Sequence, residues 1–263
     1  DLLKQHIQKA KKLGGQSLGV NIPLLYKDAD LQIKVALEEG IKIFFTSAGS
    51  PKKFTTLLKE NGAYVVHVCS TPEQAYKCQQ AGCDAIVAEG FEAGGHNGID
   101  EITTMALIPQ VVDAVDIPVI AAGGIADGRQ IAAALALGAS AVQIGTRFVC
   151  TIESSAHDNF KNRILQSHSG DTRLMMKKLV PVRLLKNKFY DEVESLERSC
   201  ATKEELAALL GKGRAKKGML EGDLEDGELE IGQVCSLIKN IPSVQECVDQ
   251  LTKEYQQAIQ RLS

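Results

Sequence analysis

The sequence predicts an α/β fold, a (β/α)8 TIM barrel followed by a helical cap subdomain. Three observations carry that expectation. Short apolar, β-branched runs alternate with amphipathic helical stretches, the pattern of a parallel sheet buried on both faces. Most runs follow one another at about 20–25 residues, enough for a helical crossover between parallel strands. Polar residues or glycines close nearly every run at its C-terminal end. That last feature favours a barrel over an open doubly wound sheet, because a barrel gathers all its active-site loops at one end.

The elements follow in order. Asp1 opens directly into an amphipathic stretch with Leu2, Leu3, Ile7 and Ala10 on one face, and no initiator Met or signal peptide precedes it. The six strands are Leu18–Ile22, Ile43–Thr46, Tyr64–Val68, Ala85–Glu89, Val119–Ala122 and Ala141–Gly145. Helical patterns at 28–39, 51–61, 72–81, 103–115 and 127–137 lie between them. Ser50 before Pro51, Thr71 before Pro72, and Asp127 are suitable N-caps, and Gly40, Gly62, Gly82 and Gly138 are suitable C-terminal stops. The last two strands end in Gly123-Gly124 and Gly145-Thr146, the kind of turn that carries the phosphate site after strands seven and eight of a barrel. Counting back from them makes the six runs strands three to eight, and the abrupt start agrees with two strands missing from the N-terminus. The barrel is expected over residues 1–170, a helical cap or insertion over 171–235, and a C-terminal helix returning to the barrel over 236–263. Within that tail, 153–167 reads as helix, 172–180 as mixed, 187–210 as charged helices, and 243–262 as the final helix.

Composition narrows the partners. Across 263 residues, 44% are hydrophobic and 24% charged, with a net charge of −3, so no electrostatic excess calls for nucleic acid or an anionic membrane. No apolar run approaches the roughly 20 residues that span a bilayer, and a soluble cytoplasmic protein is expected. Seven scattered cysteines suit reduced core thiols, and Cys78 and Cys83 are not spaced as a metal knuckle, so no metal ligands are assigned. The basic loop 211–218 has the usual meaning of a solvated face; docking of an acidic partner such as acyl carrier protein is the second reading.

The chemistry concentrates after the fourth run, in Ala88-Glu89-Gly90-Phe91-Glu92-Ala93-Gly94-Gly95-His96-Asn97-Gly98. Its glycines let backbone approach a flat ligand closely. A lone His is usually structural, but a strand's C-terminal loop in a barrel is where catalytic groups project, and imidazole titrates near neutrality. His96 is therefore the candidate catalytic residue. Gly123, Gly124, Gly145 and Thr146 are candidate phosphate contacts, with Ala122 beside them; each turn alone has an ordinary loop reading. Asn21 either bonds a loop or reads the polar edge of a ring, and His67, alternating with apolar neighbours, is evenly poised between site and structure. The residues alone stop at a barrel binding a phosphate-bearing ligand, without separating flavin, nucleotide and sugar phosphate.

At these residues a resemblance enters. Glu89-Gly-Phe-Glu-Ala-Gly-Gly-His96, Ile120-Ala-Ala-Gly-Gly-Ile-Ala-Asp127 and Gln143-Ile-Gly-Thr-Arg-Phe148 resemble signatures of the nitronate monooxygenase family of FMN-dependent barrels. Gly19–Leu24 and Thr46–Pro51 fit in the same order. Glu153-Ser-Ser-Ala-His157 followed by Lys161, with Gly222-Asp223 and Gly232-Gln233, is more similar to the enoyl-acyl-carrier-protein reductase II branch. The resemblance implies FMN phosphate on Gly123, Gly124, Gly145 and Thr146, and flavin lined by Asn21, Ser47, Glu89, Gly94 and Gly95. It further implies His96 near the reacting centre, NADH or NADPH as cosubstrate, an acyl-carrier-protein thioester as substrate, a homodimer, and in some members a monovalent cation. The family's first two strands have no counterpart in the sequence.

Three competitors are kept. A nitronate monooxygenase would use the same flavin with a nitronate and oxygen. An inosine-monophosphate-dehydrogenase-like barrel needs a catalytic Cys on an active-site loop, and the loop 94–101 offers none. A non-catalytic barrel remnant would bind no flavin.

Overall fold

A computed structural model of the chain describes residues 2–15 and 17–262. Asp1, read above as the opening of the first helix, lies outside them; the helix described is α1, Leu2–Lys12. Six parallel strands form one curled sheet, a half-barrel: β1 Gly19–Pro23, β2 Ile43–Ser47, β3 Tyr64–Cys69, β4 Ala85–Glu89, β6 Val119–Ala122 and β7 Ala141–Gln143. A two-residue strand, β5 Gly95–His96, lies between β4 and β6 in sequence but belongs to another sheet. The order β1-β2-β3-β4-β6-β7 leaves β1 and β7 as the two edges.

The helices that make the crossovers are α2 Ala29–Glu38, α3 Thr55–Glu60, α4 Pro72–Gln80, α5 Thr104–Ala114 and α6 Gly128–Ala136. Each forms where the apolar spacing allows one face to bury. Ile33 and Ala36 of α2, Leu58 of α3, and Leu107, Ile108 and Val111 of α5 are buried against Phe44, Val65, Ile86 and Ala121 of the strands. Two N-caps act as expected: Thr71 accepts from Gln74 N, and Asp127 forms a capping box with Gln130. Ser50 makes no cap bond, because Pro51–Lys53 is a 3-10 turn and α3 starts only at Thr55.

The concave face is a second, smaller apolar layer of Phe45, Val66, Val68, Val87, Ile120 and Ala122. Register places Asn21, Phe45, Val66 and Ala85 in one cross-strand row. Ser47 lies one layer nearer the C-terminal end. Glu89, Ala122 and Gln143 form the layer beyond that.

Beyond α7 Thr146–Val149, the expected helix over 153–167 is shorter, α8 Asp158–Leu165, because 151–157 is taken up by turns whose carbonyls accept from the buried Lys161. The segment read as a helical cap holds α9 Lys188–Arg198 and α10 Lys203–Leu210, but also β8 Thr172–Met175 and β9 Val182–Leu185. These two strands pair antiparallel, and β9 pairs on its other edge with β5. The cap is therefore stitched to the half-barrel through the Gly-rich loop. The last helix, α11 Val244–Leu262, packs on α6, with Glu254 Oε2 accepting from Gly128 N at 3.0 Å.

The basic loop meets its own acidic neighbour: Lys216 pairs with Glu221 at 3.0 Å, and Lys217 with Asp223 at 2.9 Å. Cys150 is buried core. Among the described residues all cysteines are free, none sits in a metal-holding group, and no helix is long and apolar enough to cross a membrane.

Candidate active site

At the C-terminal end of the half-barrel a cavity of about 220 Å³ opens between the β4, β6 and β7 loops and the segment 230–234. Seven of the residues singled out in the sequence line it: Glu89, Gly94, Ala122, Gly123, Gly124, Gly145 and Thr146. Their convergence follows from register, since Glu89, Ala122 and Gln143 occupy one row and each loop leaves its strand at the same height.

The Gly123-Gly124 turn runs through positive φ, +85° and +70°. At Gly123 a Cβ would stand 2.6 Å from Gly90 O, so the turn must be glycine to nest against the β4 loop. Thr104 Oγ1 ties the two together, 2.9 Å from both Glu92 Oε2 and Gly123 O. At Gly145, by contrast, a Cβ would meet nothing within 4 Å, which leaves open space on the cavity side. The N–H groups of Gly123, Gly124 and Gly145 have no partner among the described residues. Thr146 Oγ1 accepts from Gly232 N at 3.1 Å, which leaves its own proton free to donate. No Lys or Arg lines the cavity. An anion seated there would rest on backbone N–H groups and one hydroxyl, the donor set that suits a phosphate. These residues fit the phosphate end of FMN.

Two carboxyl groups face the same space. Burial pushes Glu89 up to about 7, and burial also raises Glu230, against the opposing charge of His96. Neither carboxyl has a hydrogen-bond partner among the described residues.

The Gly-rich loop is held from the far side. Arg183 on β9 is 1% exposed; its Nε and Nη2 donate to Phe91 O at 3.1 and 2.6 Å, and its guanidinium stacks 4.4 Å from the Phe91 ring. Gly95 pairs with Arg183 and His96 with Val182, and Asn97 N donates to Pro181 O at 2.9 Å.

His96 is exposed beside the cavity and does not line it. Gly95, buried at φ +77°, packs under the Glu230 carboxyl. Asn21 and Ser47 share the concave face but lie one to two layers below the cavity and do not line it. His67 faces the helices instead: it is 4% exposed, its Nδ1 lies 2.6 Å from Thr46 Oγ1, and burial lowers its basicity. His157 is a helix cap, its Nδ1 accepting from Asn159 N at 3.1 Å. Arg183 and Glu230 carry no motif in the sequence, and Gln143 stands there only as the first residue of the Gln143–Phe148 signature. The alternation Glu228-x-Glu230 next to Gly232 was the only local sign of Glu230.

A model of the nitronate monooxygenase family matches residues 1–254. FabK from Thermotoga maritima is similar in structure, with a TM-score of 0.93 and 39% identity over 99% of this chain and 82% of that one. A (3aS,4S,5R,7aS)-5-hydroxy-7a-methyl-1-oxo-octahydro-1H-indene-4-carboxyl-CoA dehydrogenase from Rhodococcus jostii (strain RHA1) is 31% identical over 99% of this chain and 83% of its own length. A probable nitronate monooxygenase from Bacillus subtilis (strain 168) is 35% identical over 87% and 67%. The chain belongs to the nitronate monooxygenase family, and with it to the oxidoreductases.

Proposed function

We propose that this family member is an FMN-dependent enoyl-acyl-carrier-protein reductase that spends NADH or NADPH to reduce trans-2-enoyl thioesters. The observation that carries the reading is the glycine-lined cavity, whose free N–H groups at Gly123, Gly124 and Gly145 stand beside Glu89, a carboxyl whose pKa burial raises to about 7. The 39% identity to FabK and the Glu153–His157 motif support the reductase branch. The Rhodococcus relative, named for a carboxyl-CoA, supports a thioester in place of a nitronate.

FMN held in this cavity would supply the hydride-transfer chemistry between the nicotinamide and the β-carbon of the enoyl thioester. The chain's own residues do the rest. Gly123, Gly124, Gly145 and Thr146 anchor phosphate through N–H and O–H donors. Gly94 lets the flat ring approach backbone. Glu89, which burial lets hold its proton up to about pH 7, donates a hydrogen bond in its neutral form without placing a second negative charge beside the phosphate. His96, exposed next to Gly95, exchanges protons between solvent and site. A monovalent cation, an acyl-carrier-protein docking face and a homodimer belong to the same reading.

The name of the Bacillus relative favours a second reading, nitronate oxidation with oxygen. One anaerobic experiment separates them. Flavin bleached by NADH or NADPH and recoloured by crotonyl thioester supports the reductase. Flavin reduced only by an alkyl nitronate supports the monooxygenase, and a protein that binds no FMN supports a non-catalytic remnant.

A further inference from the structure

Glu230 sits in the stretch that closes the cavity opposite the Gly123 and Gly145 turns. Its backbone forms an antiparallel bridge with Leu184 of β9, and Leu185 N donates to Leu229 O at 2.9 Å. That bridge continues the β9 edge on which Gly95 and His96 already pair, so Glu230 arrives directly over Gly95. Its carboxyl is close enough that a Cβ on Gly95 would stand 2.5 Å from Oε2. It lines the cavity, and among the described residues no side chain or N–H hydrogen-bonds to it. A carboxyl so placed, withdrawn from water and without a protein partner, is oriented toward whatever fills the cavity.

The groups around it do not neutralise it. Glu89 on β4 faces the same space, and Glu228, two residues earlier, is itself buried and pushed up to about 7. Arg183 on β9 spends its guanidinium on Phe91 and Thr172. Thr146 on α7 is neutral and bonded to Gly232. Only the charge of His96 on β5 opposes the rise that burial imposes on Glu230. The balance keeps a proton on Glu230 at higher pH than an exposed glutamate would hold one.

We propose that Glu230 is a further catalytic group, the acid that protonates the α-carbon of the substrate, with His96 resupplying it from solvent. The inference rests on the enoyl-reductase reading. In the step, a hydride equivalent drawn from NADH or NADPH forms the new β-carbon C–H bond. The π pair of the alkene moves to the α-carbon and thioester carbonyl as an enolate. The Glu230 O–H bond then breaks, its proton forms the α C–H bond, and Glu230 is left as carboxylate. His96 gives it a proton and regains one from water. The sum is NAD(P)H, one proton and enoyl thioester going to NAD(P)+ and acyl thioester. The arrangement divides labour, since the cavity-facing acid stays shielded while the exposed imidazole meets solvent.

The test compares the full-length protein with Glu230→Gln and Glu230→Asp, each with FMN. FMN affinity is read by quenching of flavin fluorescence, and bleaching by NADH and recolouring by crotonyl thioester by anaerobic stopped flow. Deuterium incorporation at the α-carbon is read by mass spectrometry across pH. Expected are FMN affinity and bleaching within about twofold of wild type for Glu230→Gln, with recolouring slowed by about 10²-fold or more. Its rate should lose the alkaline limb of the pH profile, and Glu230→Asp should recover about tenfold. Recolouring by Glu230→Gln at the wild-type rate and with the wild-type pH profile overturns the role of Glu230 alone. Wild-type flavin that bleaches with NADH but is not recoloured by the thioester overturns the enoyl-reductase reading and this inference with it. Should Glu230→Gln hold no FMN, Glu230→Asp decides: equal loss of bleaching and recolouring in a folded protein marks a structural residue.

Discussion

Two alanine substitutions at neighbouring glycines should separate folding from binding. At Gly123 the backbone stands at φ +85°, where an L side chain costs about 1–2 kcal/mol. The new Cβ would also lie 2.6 Å from Gly90 O and 3.1 Å from Gly90 N, both backbone atoms that cannot swing aside. Relieving such overlap by moving two strand ends costs about 1–3 kcal/mol more. Gly123→Ala should therefore destabilise the fold by roughly 2–5 kcal/mol. At Gly145, φ is −101° and ψ −70°, and a Cβ would meet nothing within 4 Å. Gly145→Ala should leave stability within about 0.5 kcal/mol of wild type. Its methyl group would, however, occupy the space assigned to the ligand and weaken FMN binding about tenfold or more, some 1.4 kcal/mol. Urea titration without ligand measures the first effect and FMN fluorescence quenching the second. The reasoning fails if Gly145→Ala lowers the urea midpoint as far as Gly123→Ala does, or binds FMN as wild type.

The folded pKa of Glu89, about 7, lies above its unfolded value near 4.5, so the folded state binds the extra proton. The stability it supports is fully present below about pH 4.5 and is lost as pH rises to about 7, a change of roughly 3 kcal/mol. Glu89→Gln should flatten that part of a thermal melting profile recorded against pH without flavin. Arg183→Met leaves Phe91 O unpaired at a partly buried site and should cost about 1–3 kcal/mol. Hydrogen exchange should show the loss as faster exchange confined first to His96 and Asn97. His96→Gln should bind FMN normally and slow enoyl turnover about 10²-fold; full turnover with normal flavin content would remove His96 from the chemistry.

The half-barrel and most of its cavity were legible because both are built from local signals. A parallel strand covered on both faces must be apolar, so each of the six runs that form the curled sheet, β1 to β4, β6 and β7, announced itself. Gly123, Gly124 and Gly145 mark strand-to-helix turns by residue type alone, and one register brings those turns to one height. Periodicity could not say which side of the sheet a residue faces relative to the site. His67 and Ser47 both looked available, yet His67 turns to the helices to meet Thr46, and Ser47 stays one layer low.

The sequence by itself determined the repeating strand and helix order, the capping residues Thr71 and Asp127, and the glycine turns after β6 and β7, since each depends on neighbours within a few residues. Only the tertiary structure decided what faces the cavity from above. A strand of two residues, β5, has no periodicity to read, and it exists because β9 supplies its partners. Arg183 reaches Phe91, and Glu230 reaches Gly95, across long stretches of chain. Contacts of that kind depend on how the cap folds back over the sheet, which no local pattern of apolar and polar residues specifies.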